Sequence, residues 1–207
     1  MSKILFASLL ALCLNAGARA EGLPADHAEL AALRKQDQAD RQGKIDWSEV
    51  ALRDAARLAR VRALMREGAM RTAADYENAA WVFQHGDTAE DIRIAHALAT
   101  LAMNIGADDG GRRRWLVAAS WDRLLMRQQQ PQWYGTQFLS DAKGMYLYPV
   151  AVDAVTDEER KKMIGLTLAE SQAKTVEMAR NAGIPVRDPA PTIEDLKRAS
   201  KPSAKGG

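Results

Sequence analysis

Between Asp26 and Gly106 the chain repeats one piece of helix punctuation four times. An oxygen-bearing residue is followed three positions later by an acid, then by an apolar stripe, then by a glycine. Asp26 with Glu29 opens a segment carrying Leu30 and Leu33 and closing at Gly43. Asp46 with Glu49 opens the next, which runs to Gly68. Thr72 with Asp75 leads to Gly86, and Thr88 with Asp91 leads to Gly106. Such pairs cap the free N–H groups of a helix's first turn, and glycine suits its end. A chain punctuated in this way folds as consecutive helices.

The apolar spacing agrees with that reading. Val50, Leu58, Val61 and Met65 mark the inner face of the second helix. Tyr76, Ala79, Ala80 and Phe83 mark the third, and Ile92, Ala95, Leu98, Ala99 and Ala102 the fourth. A fifth helix is expected over about 112–128, with Trp115, Ala118, Ala119 and Leu125 inward. Arg53, Arg57, Arg60 and Arg66 lie off the second stripe and read as a solvated face. Short loops between the third, fourth and fifth helices imply antiparallel neighbours. Ala79-Ala80-Trp81 returns forty residues later as Ala119-Ser120-Trp121, a faint echo of the kind seen in tetratricopeptide-type solenoids.

After Pro131 the alanine-rich spacing stops. Gly135, Gly144 and the aromatics Phe138, Tyr146 and Tyr148 replace it, so 136–139 and 145–148 read as a small hairpin. Thr156 with Glu159 and Thr167 with Glu170 announce two further helices, the second ending near Gly183. The expected fold class is mainly α: antiparallel helical hairpins, as a bundle or a short solenoid-like stack, with a small β-hairpin after residue 135. Residues 21–183 read as one domain. Residues 184–207, rich in proline, lysine and glycine, read as a mostly disordered tail with one helical turn after Thr192.

Residues 1–20 read as a signal peptide. Lys3 precedes an apolar run from Ile4 to Leu14, and Ala18-Arg19-Ala20 places cleavage after Ala20. The expected location is therefore the periplasm or the exterior, with no membrane anchor after cleavage. The only cysteine, Cys13, falls inside that apolar run, so the mature chain has no thiol chemistry. Cleavage also removes Lys3 and Arg19 and no acid, bringing the 29 basic residues down to 27 against 27 acidic ones. A balanced charge argues against nucleic acid as a partner.

Three polar segments stand out. Asp122 falls on the inner stripe of the fifth helix, and a buried carboxylate needs partners. His85 follows the third helix, where a contact with Asp122 would fix its tautomer. Gln132-Trp133-Tyr134-Gly135-Thr136-Gln137 offers two amides, a phenol and a hydroxyl around a flexible glycine. His85 and Asp122 are therefore the candidate catalytic pair. Gln84, Arg123, Gln132, Tyr134, Thr136 and Gln137 are the candidate ligand-binding residues. No cofactor or metal is expected: HExxH, a glycine-rich phosphate loop and a GxSxG elbow are all missing.

Gln84-His85, Asp122-Arg123 and the QxYGTQ loop together resemble an uncharacterised bacterial family, one of the catalogued domains of unknown function. Its pattern combines a QH pair, a DR pair and a QxYGTQ loop with an N-terminal DQ..R segment, which Asp37-Gln38 and Arg41 fit. The resemblance spans roughly residues 28–180 and is most specific in the loop. Gln128-Gln129-Gln130-Pro131 departs from it where a glycine is more usual. The resemblance carries no activity but implies that the motifs form one unit. Three readings follow: a domain binding a small polar ligand or peptide segment, a hydrolase-like enzyme with His85 as base and Asp122 as its orienter, or a scaffold whose motifs only fix the fold.

Overall fold

The computed structural model describes residues 24–43, 45–107 and 109–200. The expected signal segment, residues 1–20, and the expected cleavage position lie outside them, as do residues 201–207. Among the described residues there are eight helices and one two-stranded sheet. The order is α1 (Ala28–Ala39), α2 (Trp47–Arg66), α3 (Ala73–Phe83), α4 (Ala89–Ile105), α5 (Arg112–Arg127), β1 (Phe138–Asp141), β2 (Gly144–Leu147), α6 (Asp157–Ile164), α7 (Leu168–Ala182) and α8 (Ile193–Ser200). None of these helices is long and apolar enough to cross a membrane.

Helices α3 and α4 start on reciprocal capping boxes, Thr72 with Asp75 and Thr88 with Asp91. Asp46 caps α2, and Thr156 and Thr167 cap α6 and α7. The pair at Asp26 and Glu29 does not form a box. His27 is the N-cap of α1, without a side-chain cap, and its N–H donates to Asp75 Oδ1 at 2.7 Å from another helix.

Helices α3 and α4 pack side by side, as do α4 and α5, and α1 lies on α3. Leu30, Val61, Leu64, Phe83, Ala95, Ala99 and Leu116 are buried in one shared core. All five residues of the expected α4 stripe are buried. On α2, Leu64 is buried while Met65 is exposed. The arginine face of α2 also differs from expectation. Arg57 is only 5% exposed, held by Asp40 at 2.7 Å and Asp54 at 2.6 Å. Acids from the end of α1 and from α2 itself cover that strip.

The hairpin pairs Phe138 with Leu147 and Asp141 with Gly144, antiparallel. The segment after Gly183, expected to be mostly unstructured, is placed as far as Ser200. Met145 donates to the Pro185 carbonyl at 2.8 Å, and Arg187 donates to the Met145 carbonyl at 2.8 Å. Residues 185–187 thus line the outer edge of β2. Gly144 permits the approach, since a Cβ there would run into the Pro185 carbonyl. Helix α8 follows, capped by Thr192 and Asp195 and tied to the end of α5 by Gln129 and Ser200 at 3.0 Å.

Candidate functional site

Asp122 is 0% exposed and its carboxylate organises the loop. Oδ1 accepts the backbone N–H groups of Trp133 (2.8 Å) and Tyr134 (3.0 Å). Oδ2 accepts the Thr136 N–H (3.0 Å) and hydroxyl (2.8 Å). Gly135 between them takes φ +83°, a left-handed turn that lets three N–H groups face one carboxylate. Burial pushes the Asp122 carboxyl up, and the four loop donors pull it back.

The loop's other polar groups are also bonded internally. The Gln132 side chain donates to the Gln137 and Tyr148 carbonyls and accepts the Gln137 N–H at 2.9 Å. Gln137 donates to the Ala119 carbonyl, as does Gln84, both at 3.2 Å. The Tyr134 hydroxyl reaches Glu159 at 3.5 Å. These side chains knit the loop to α5 and the hairpin. Asp122, Gln84, Gln132, Tyr134, Thr136 and Gln137 do not line the cleft described next.

His85 does not take Asp122 as its partner. Its Nδ1 faces both oxygens of Asp37, at 2.9 and 3.0 Å. Asp37 is 0% exposed, and Gln38 on its own helix and Arg41 just beyond that helix's end hold it. Asp122 is fully engaged by the loop, which leaves the inward acid of α1 for the imidazole. The same spacing that marked Asp122 marks Asp37, seven residues after the buried Leu30. The DQ..R segment also names it.

Arg123 does join the motifs. Its Nε donates to Gln137 Oε1 at 3.0 Å and its Nη1 to the Gln84 carbonyl at 3.2 Å. One guanidinium therefore links the loop, the end of α3 and α5. Beside it opens a cleft of about 430 Å³. Arg41, His85, Arg123 and Arg127 line it together with Asp54 and Asp87. Ile45, Trp47, Val50 and Ala51 form its apolar wall, with Trp47 63% exposed. Of the eight residues singled out from the sequence, His85 and Arg123 reach this cleft. Arg41, Arg127 and Trp47 also line it, which periodicity did not suggest.

The electrostatics of the cleft are uneven. Asp54 is shared by Arg41 and Arg57, both at 2.6 Å. Arg123 and Arg127 have no carboxylate within ion-pair distance among the described residues. Among the described residues Arg127 reaches only the Gly86 carbonyl, at 3.3 Å. Desolvation, Arg127 and Arg41 push the Arg123 pKa down to about 10, against the opposing pull of Asp37. Asp87 is exposed at the rim. Among the described residues, no three His, Cys, Asp or Glu side chains are grouped so as to hold a metal ion. Comparison with family models, curated proteins and solved structures gives no match.

Burial lowers the pKa of His85 from 6.5, against the opposing pull of Asp37, and Arg41 and Arg123 lower it further. Burial lowers His96 likewise. The unfolded chain then binds more protons than the folded one as pH falls through 6.5. The stability these rings contribute is complete above that value and is lost progressively below it. Asp122, with its raised carboxyl, acts in the opposite sense at lower pH, so the informative quantity is a difference between variants. The wild type should lose more urea stability than His96→Gln between about pH 7.5 and 5.5. Equal losses would exclude His96 from that pH dependence.

Proposed function

We propose that the chain is an exported helical domain that binds a small anionic ligand, phosphate-like or carboxylate, in the cleft between α2, the end of α3 and α5. One observation carries this reading: Arg123 is desolvated beside Arg41 and Arg127, yet neither Arg123 nor Arg127 has a carboxylate partner among the described residues. Asp37 attracts Arg123 only from beyond ion-pair distance; a desolvated cation without a directly paired counter-charge is costly, and an incoming anion supplies that charge. Guanidinium groups present flat forks of donors that match carboxylate and phosphate oxygens. The QxYGTQ loop serves this site indirectly, by holding Gln137 against Arg123. The resemblance to the QH, DR and QxYGTQ family supports treating these segments as one unit. The signal-like residues 1–20 support a periplasmic or secreted location.

The test is thermal. Inorganic phosphate at about one hundred times its Kd should stabilise the domain by about 2.7 kcal/mol. For a domain of this size that raises Tm by roughly 5–10 °C. Chloride at equal ionic strength should not do so, and acetate serves as the carboxylate arm. Arg127→Ala changes an exposed residue and should weaken phosphate binding about tenfold, equivalent to one lost charge-assisted contact of about 1.4 kcal/mol. Arg123→Gln should abolish it. A phosphate shift no larger than that of chloride, with no acetate shift, would remove the reading.

A further inference from the structure

His85 brings an imidazole to the wall of the same cleft. Its Nδ1 faces both Asp37 oxygens. An ion-paired carboxylate only accepts, so the ring proton sits on Nδ1 and the lone pair on Nε2. Nε2 has no hydrogen-bond partner among the described residues, and the ring lines the cleft beside Arg41, Arg123 and Arg127. Asp37 is itself clamped by Arg41 and Gln38, so the ring is held in one tautomer and one orientation. The charged groups around it in this cleft are Asp37 and Arg41 from α1 and its end, Asp54 from α2, Asp87 after α3, and Arg123 and Arg127 from α5; the ring also borders an adjoining cavity that Arg62 of α2 and Asp91 of α4 line.

The geometry points to His85 as a phosphoryl acceptor, its Nε2 taking the phosphoryl group of a small phosphomonoester or phosphoramidate bound in the cleft. This rests on the anion-binding reading and adds a reaction to it. The Nε2 lone pair attacks phosphorus. A P–N bond forms as the bond from phosphorus to the leaving oxygen or nitrogen breaks. The leaving group takes that electron pair and a proton from water. The phosphorylated ring keeps its Nδ1 proton, and its positive charge lies against Asp37. Arg123 and Arg127, which have no carboxylate partner among the described residues, offset the charge on the transferring group's oxygens. Water then attacks phosphorus, the P–N bond returns its electrons to Nε2, and inorganic phosphate leaves while the surplus proton goes to solvent. Asp37 acts here as a positioning residue.

The full chain, incubated with phosphoramidate and digested in base, should carry a phosphoryl group on His85 that survives alkali and is lost in acid. His27 and His96 serve as internal controls and should stay unlabelled. Arg127→Ala, an exposed change, should slow labelling about tenfold by removing one charge-stabilising contact. His85→Asn should lose the label and keep the thermal shift produced by inorganic phosphate. A missing label on His85 while phosphate still raises Tm overturns the proposal and leaves the anion-binding reading in place. Equal labelling of all three histidines overturns it as well. If phosphate produces no shift and no label appears, both readings fall together.

Discussion

Asp122→Ala is expected to be among the most destabilising single changes in the protein. Three backbone N–H groups of the loop and the Thr136 hydroxyl converge on this carboxylate. Removing it leaves those donors without an acceptor where Asp122 itself is fully buried. Each buried unsatisfied donor costs about 1–3 kcal/mol, so the loss should be about 4 kcal/mol. For this size of domain that lowers Tm by roughly 8–16 °C. Phosphate binding should weaken too, because the released loop carries Gln137 away from Arg123. Asp122→Asn keeps one acceptor oxygen and should lose about half as much stability. Urea midpoints with an unchanged slope would measure both variants. A loss below about 1 kcal/mol for Asp122→Ala would show that the loop stands without its anchor.

Glu77→Ala is the second. Glu77 is 1% exposed and accepts from Arg34 at 3.1 Å, Arg112 at 2.6 and 2.9 Å, and Arg113 at 3.1 Å. One carboxylate on α3 thereby gathers cations from α1 and α5. Breaking a buried ion pair from one side costs about 3–5 kcal/mol. Arg112 is half exposed and recovers some hydration, so the expected loss is about 3 kcal/mol, at the lower end of that range. Phosphate affinity should stay unchanged in this variant, since Glu77 does not line the cleft. Stability measured by urea and binding measured by thermal shift should therefore separate here and move together in Asp122→Ala.

The parts of the fold legible in the sequence are those whose cause is local. Thr72 with Asp75 and Thr88 with Asp91 form boxes because donor and acceptor lie three residues apart in one turn. The α4 stripe is buried as spaced, since 3.6-residue periodicity needs no knowledge of the neighbour. The inward direction of Asp122 follows from the same geometry. Its partner does not, because partner choice depends on which distant segment returns to that face. Asp122 met the loop and His85 met Asp37 for this reason. Two other departures share the cause. The Asp26 box lost to a bond between His27 and Asp75, and Arg57 is covered by acids that only the tertiary fold brings together. Of the site, the sequence exposed His85 and Arg123 but assigned ligand contact to the loop amides, which are bonded among themselves. Proline and lysine content after Gly183 says little about whether a backbone runs along a strand edge, and there it does.

That run along β2 has a bearing on how the domain tolerates trimming. Met145 directs its amide and carbonyl outward, and Pro185 and Arg187 meet both. The C-terminal stretch thus acts as a selvedge, closing the margin of a two-stranded ribbon that would otherwise offer a template to neighbouring molecules. A fragment stopped at Gly183 would keep every helix of the central core and would gain a self-associating border.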